Sequence, residues 1–190
     1  MEDTVNKSNP SLVDRMVRAA KLNVDLYEEV EADKSATGQA FLVVLIFSIS
    51  SAVGLGLYGA ITNGPIYFLW GLLGGTISNI IAWGLFSFLT YVVGTKLFPG
   101  PETSADWGEL LRTLGFSTAP GALLVIAFIP LLGGLVALAI MVWMIIAAVI
   151  AVRQALDFTT GRALATCAVG LIAYIVIMTI TRALLGGFGT

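Results

Sequence analysis

The sequence predicts an all-α, polytopic membrane protein: a bundle of about five transmembrane helices carrying a cytosolic N-terminal amphipathic helical arm. Three observations predict it. The chain of 190 residues is 57% hydrophobic and only 12% charged, whereas a soluble domain carries about 25% charged residues. Charge is missing from long stretches, 61 residues between Lys34 and Lys96, 40 between Arg112 and Arg153, and 19 between Arg162 and Arg182. A soluble helix needs a wet face, and about 20 apolar residues suffice to cross a hydrocarbon core of about 30 Å. Finally, the apolar runs are continuous and rich in Ala, Leu, Ile and Gly. Membrane β-strands would alternate apolar and polar residues in segments of about ten.

The first 36 residues read as the arm. Ser11 and Asp14 form an S-x-x-D cap, and Leu12, Met16 and Ala20 share a helical face. The charge then changes sign. Lys7, Arg15, Arg18 and Lys21 precede a run of Asp25, Glu28, Glu29, Glu31 and Asp33. One continuous helix would place those acids at its negative end, so two short helices are expected, the second capped by Asp25 with Glu28 completing its box. The arm holds 5 basic and 8 acidic residues before Gly38, a poor balance for anionic lipid. Packing on the membrane domain is its simplest role, and docking a partner is the sharper alternative.

Residues 37–190 read as the membrane domain. The first span covers about 40–61 and ends in the turn Thr62-Asn63-Gly64-Pro65. The second covers about 66–93, roughly 42 Å of helix, long enough to require a tilt or bend near Gly74-Gly75. Thr103 and Asp106 suggest a capping box, and Trp107, Leu110, Leu111 and Leu114 line one face of a short interfacial helix with Trp107 at headgroup level. The next 37 residues, 116–152, would make a helix of about 55 Å, too long for one span. Pro130 and Gly133-Gly134 divide them into spans at 116–132 and 135–152, and the last span covers about 163–185. No cleavable signal peptide is expected, because the first apolar run begins only near Ala40.

Orientation follows from lysine and arginine. With five spans, the N-terminal arm, the 96–112 loop and the 153–162 loop bring 9 of the 10 basic residues to one side, leaving Arg182 on the other. The expected topology has a cytoplasmic N-terminus and an outer C-terminus. Arg153 and Arg162 anchor the cytosolic interface, and Arg182 snorkels to the outer one.

Motifs that suggest chemistry have plainer explanations. Gly54, Gly56 and Gly59 spell G-x-G-x-x-G, but inside a span, with no strand before them, they bind no dinucleotide. Gly71 and Gly75, with Gly56, read as helix-packing positions, within the chain or in an oligomer. The chain has no histidine, which excludes His-based triads, H-E-x-x-H zinc sites and histidine bases. The predicted spans hold no Asp or Glu, so intramembrane aspartyl proteolysis and proton coupling lack their groups. Cys167, the one cysteine, reads as packing filler. No enzyme, metal, cofactor or nucleic-acid partner is expected; the partners are the bilayer and other membrane proteins or a second copy. Transport of uncharged or lipid solutes is the alternative, with Asn79 and Thr118 on its path.

Gly115-Phe116-Ser117-Thr118-Ala119-Pro120 resembles the G-[YF]-x-x-x-P signature in the third span of the Yip family. Pro130, Trp143, Ala151-Val152-Arg153-Gln154-Ala155-Leu156 and Thr160-Gly161-Arg162-Ala163-Leu164 continue it in order, over roughly residues 36–185. The resemblance implies five spans, a cytosolic N-terminus and, in the eukaryotic branch, interaction with Rab-type GTPases in the early secretory pathway. That branch carries a D-L-Y-G-P-type motif before the first span. Here Asp25-Leu26-Tyr27 runs into Glu28-Glu29, which makes Rab-type GTPase binding doubtful and places the chain nearer the prokaryotic branch. A non-catalytic scaffold or accessory subunit in a bacterial plasma membrane is the resulting expectation. Gly115, Phe116 and Pro120 then have a structural reading too, as the corner where the chain turns back into the membrane.

Overall fold

The computed structural model describes residues 10–186 apart from 101, 102, 104, 130 and 131, and the side chains of 10–181 within that range. All its regular elements are helical. Helix α1 (Leu12–Ala20) starts at Ser11, whose hydroxyl accepts from the Asp14 amide at 3.1 Å. It stops where Leu22 adopts a left-handed φ of 59°. Helix α2 (Val24–Ala32) follows. Its cap is Asn23, which accepts from the Leu26 amide at 2.9 Å, and not the expected Asp25. Asparagine one residue earlier satisfies the same orphan donors, which leaves Asp25 exposed in the first turn.

Helix α3 (Ala36–Asn63) contains the first predicted span and closes at Gly64, whose φ of 111° suits glycine. Helix α4 (Ile66–Leu97) contains the second. The expected irregularity near Gly74-Gly75 is a π-helical turn at Gly71–Gly75, and a second such turn ends the helix at Val93–Leu97.

The third span departs from expectation. Helix α5 (Trp107–Ser117) is not a surface helix lying at the interface. Leu110, Arg112, Thr113, Leu114, Gly115, Phe116 and Ser117 are all buried, and α5 packs against α2, α3, α4 and the fourth span. It joins a 3-10 segment, Ala119–Phe128, at an angle of 41°, and the pair reads as one broken span. The cause lies at Pro120, which supplies no amide and crowds the carbonyl four residues earlier. The helical cap is also shifted. Asp106 accepts from the Glu109 amide and Glu109 accepts from the Asp106 amide, both at 2.9 Å, so the box is Asp106–Glu109. Thr103 instead accepts from the Gly100 amide at 2.8 Å.

Helix α6 (Gly133–Ala155) ends at Asp157, another left-handed residue with φ 50°, and α7 (Thr160–Gly186) follows. Of the expected break residues, Pro130 lies outside the described residues, while Gly133 begins α6. Arg182 falls within α7, its side chain outside the described ones. Four helices are long and apolar enough to cross a membrane, and the broken pair makes a fifth.

Burial is uneven. The main core gathers Leu26, Tyr27 and Val30 of the arm with Ala40, Val43, Leu110, Phe116, Val152 and Leu156. Away from it, among the described residues, Leu124, Ala127 and Ile140 form a small buried cluster. The arm is therefore part of the main core, not an appendage.

Candidate functional site

The arm is held together by a buried cation of its own, Arg15, and held to the bundle by another, Arg112. Arg15 is 2% exposed and its guanidinium is fully engaged: with Glu29 at 2.9 Å, Asp33 at 2.8 Å and the Gln39 amide oxygen at 2.9 Å. Arg18 donates to the second Glu29 oxygen at 2.6 Å. These guanidinium hydrogen bonds hold the Glu29 carboxyl below its ordinary range even though burial alone would raise it. Arg112, 4% exposed, meets no carboxylate among the described residues. It donates to the Val30 carbonyl at 2.9 Å and to the Glu31 carbonyl. Those carbonyls belong to the last turn of α2, whose intrahelical partners are missing, so Arg112 caps α2 and meets the negative end of its dipole. Farther along, the Trp143 indole N–H donates to the Ala20 carbonyl at 2.8 Å, and the Gln154 amide donates to Glu28 at 2.8 Å. Glu31, half-buried near Glu109 and Asp157, has its carboxyl pushed up to about 7, chiefly by burial.

The signature residues meet at the junction of the third span with α3. A Cβ on Gly115 would lie 2.8 Å from the Ala40 Cβ. Gly121 faces Phe47 and Met144, and Gly54 sits against the Leu124 carbonyl. Position numbers rise together, so α3 and the broken span run parallel, as spans separated by one return must. Phe116 and Pro120 are buried beside this seam. The packing candidates Gly71 and Gly56 meet each other: a Cβ on Gly71 would lie 3.2 Å from the Gly56 Cα, and one on Gly75 would lie 3.8 Å from the Ala52 Cβ. Both contacts are within the chain. Gly74 has open space around it.

The anchors take different places. Trp107 is 45% exposed, with its ring edge-on to Phe88 at 5.7 Å. Arg162 donates to the Phe98 carbonyl at 3.1 Å and the Pro99 carbonyl at 2.5 Å, and stacks over Phe158. It thus ties the α4–α5 loop to the start of α7. Arg153 donates to the side chain of its neighbour Gln154 at 2.9 Å.

Between α3, α4, the broken span, α6 and α7 lies a cavity of about 650 Å³. Its wall is made of Phe47, Phe86, Met144, Val149, Leu171 and similar side chains, and holds no charged residue. Asn79 and Thr118, placed on a solute path by sequence reasoning, do line it, with Ser51 and Ser117. They stand among apolar side chains, which make up most of the wall. Among the described residues no three metal-binding side chains gather.

Sequence reasoning missed Arg15, Arg112 and Trp143 as fasteners of the arm. Arg112 carried one signal, a lone cation among Leu110, Leu111, Thr113 and Leu114. Arg15 carried none, because its partners lie 14 and 18 residues away.

The parallel and antiparallel apolar helices, with charges gathered at one end, define an integral, multi-pass helical membrane protein. The Yip1 domain family model matches residues 24–181, from α2 to the last turns of α7. The chain belongs to the Yip family. No curated protein matches it, and no solved structure does.

Proposed function

We propose that this protein is a non-enzymatic scaffold or accessory subunit of a membrane assembly, joined to its partner through the outward face of α4. One observation carries the reading. Of the four unbroken spans, α4 is the least apolar, yet only 6% of its most apolar stretch is buried, against 39% for α3. A span that is both the most polar and the least covered by its own chain suits a protein neighbour better than lipid. Gly74 and Ser78, exposed and four residues apart, supply the small-residue spacing that lets another helix approach closely. The proposed setting is a bacterial plasma membrane, from the likeness to the prokaryotic branch, with the N-terminus cytoplasmic and the C-terminus outside, from the bias of basic residues. Rab-type GTPase binding forms no part of this reading.

The test is purification of the tagged protein in gentle detergent with mass spectrometry of what accompanies it. A stoichiometric membrane partner, lost in Gly74→Ile and Ser78→Ile variants that still fold, supports the reading. Recovery of the protein alone as a monomer overturns it.

A second reading, the handling of uncharged or lipid solutes, is favoured by the cavity that Asn79 and Thr118 line. Its apolar wall suits a hydrocarbon better than a polar solute.

A further inference from the structure

We infer that the cavity is a binding site for one acyl chain of a bilayer phospholipid. This stands apart from the scaffold reading, which rests on Gly74 and Ser78 of the second span, neither of which lines the cavity.

The size is right. About 650 Å³ lies within the 300–1,000 Å³ range of ligand pockets. The shape suits a chain, because the lining residues on α6 run from Ala137 to Val149, about 18 Å at helical rise. The wall chemistry selects hydrocarbon. It has no charge, and its polar groups are the side chains of Ser51, Asn79, Ser117 and Thr118, the Tyr174 hydroxyl and the Trp83 indole, which is already bonded to the Leu111 carbonyl. A charged or strongly hydrated ligand would lose its water there without replacement.

The cavity also joins the lipid-facing surface. Met141 and Ile145 on α6 and Leu164 and Leu171 on α7 all line it, and each is 46–56% exposed. On α3 the lining residue Leu55 is 52% exposed. The wall is thus open toward the bilayer on the side shared by α6 and α7, and a chain can enter sideways while its headgroup stays at the surface. Relative to lipid the gain comes from close packing against the wall, so the site binds by shape and exchanges with the bilayer.

The test uses the full chain in vesicles of phosphatidylethanolamine and phosphatidylglycerol, doped with a phosphatidylcholine that carries a diazirine in one acyl chain. After irradiation, adducts are mapped by mass spectrometry. The expected result is labelling of inner wall residues such as Phe86, Leu114 and Cys167, besides the outward Ile172 and Val176. Ala82→Phe, which fills the cavity, should lower the wall adducts at least tenfold and leave the outward ones unchanged. Ala148→Phe, on the facing helix, serves if the first variant does not fold. Labelling confined to outward residues overturns the proposal. So does wall labelling that persists in a folded, filled variant, or labelling by a free diazirine fatty acid but not by the phospholipid.

Discussion

Replacing Gly115 by alanine should loosen the bundle, although alanine is the better helix former. Gly115 lies in α5 against α3, and its missing Cβ would sit 2.8 Å from the Ala40 Cβ and 3.3 Å from both the Ala40 Cα and carbonyl oxygen. None of those atoms can rotate away, since all are fixed to the α3 backbone. Ordinary contact needs the two helices to part by several tenths of an ångström, which breaks packing along the seam. Such overpacking costs about 1–3 kcal/mol, and helix propensity returns about 1 kcal/mol, so the net loss is about 0–2 kcal/mol. Gly38, in the first turns of α3, is the control. It is exposed with open space about it, and alanine there should gain about 0.4–1 kcal/mol. At about 2–4 °C per kcal/mol for a chain of this size, the Tm in mild detergent should fall by up to about 8 °C in Gly115→Ala and rise by about 1–4 °C in Gly38→Ala. Gly54→Ala, whose Cβ would overlap the Leu124 carbonyl, should fall further than Gly115→Ala. The reasoning is refuted if Gly115→Ala is as stable as Gly38→Ala.

Three further outcomes concern the arm. Arg112→Met removes the hydrogen bonds to Val30 and Glu31, and with hydrogen bonds to charged groups worth about 1.5–3 kcal/mol the arm should undock. Trypsin should then cut at Lys21 and Lys34 at least tenfold faster, and Arg112→Lys should rescue only in part, lacking the fork that spans two carbonyls. Trp143→Phe keeps the ring but loses the bond to the Ala20 carbonyl, an expected loss of about 1 kcal/mol, visible as a smaller acceleration at Lys21. Glu31 sets a pH dependence. Its folded carboxyl is raised to about 7 from 4.5, so the folded chain binds more protons than the unfolded one between those values, and stability falls as pH rises through that window. Glu29 and Asp33 are shifted the other way, below 4.5 and 3.8, so their contribution is lost only at more acid pH. The Tm should be higher at pH 5.5 than at pH 8, and Glu31→Gln should flatten that difference; an unchanged slope in the variant would assign it elsewhere.

What could be read from the sequence was whatever depends on local composition and spacing. Charge-free runs mark α3, α4, α6 and α7, because a helix immersed in lipid needs no polar face. Ser11 marks the start of α1 and Gly64 the end of α3, since each acts within a few residues. The misreadings share a different cause. The face Trp107, Leu110, Leu111 and Leu114 resembles a surface helix because an apolar stripe looks alike whether it meets headgroups or neighbouring helices. Which it meets depends on α2, which lies over α5 and brings its carbonyls to Arg112. The roles of Arg15 and Trp143 are likewise set by residues far away along the chain. The cavity is legible only in three dimensions, although Asn79 and Thr118 had marked two of its walls.

The break at Pro120 connects the features at the end of the bundle away from the arm. Up to Ser117 the third span is an α-helix wedged between α3 and α4, and the Trp83 indole N–H donates to its Leu111 carbonyl at 3.1 Å. Past Thr118 the chain turns by 41° and becomes a 3-10 segment that lies in the glycine notch of α3 at Gly54. Ten residues at about 2.0 Å each then reach about 20 Å, where an α-helix would reach about 15 Å. The thinner segment follows α3 and no longer supports α4. The space it leaves is bordered by Ser117, Thr118 and Leu124 on one side and by Asn79, Ala82 and Trp83 of α4 on the other. The same departure uncovers the side of α4 that lines the cavity. One proline thus bears directly on the acyl-chain proposal: the break opens a chain-shaped space inside the bundle, walled by α4 on one side and by the 3-10 segment on the other.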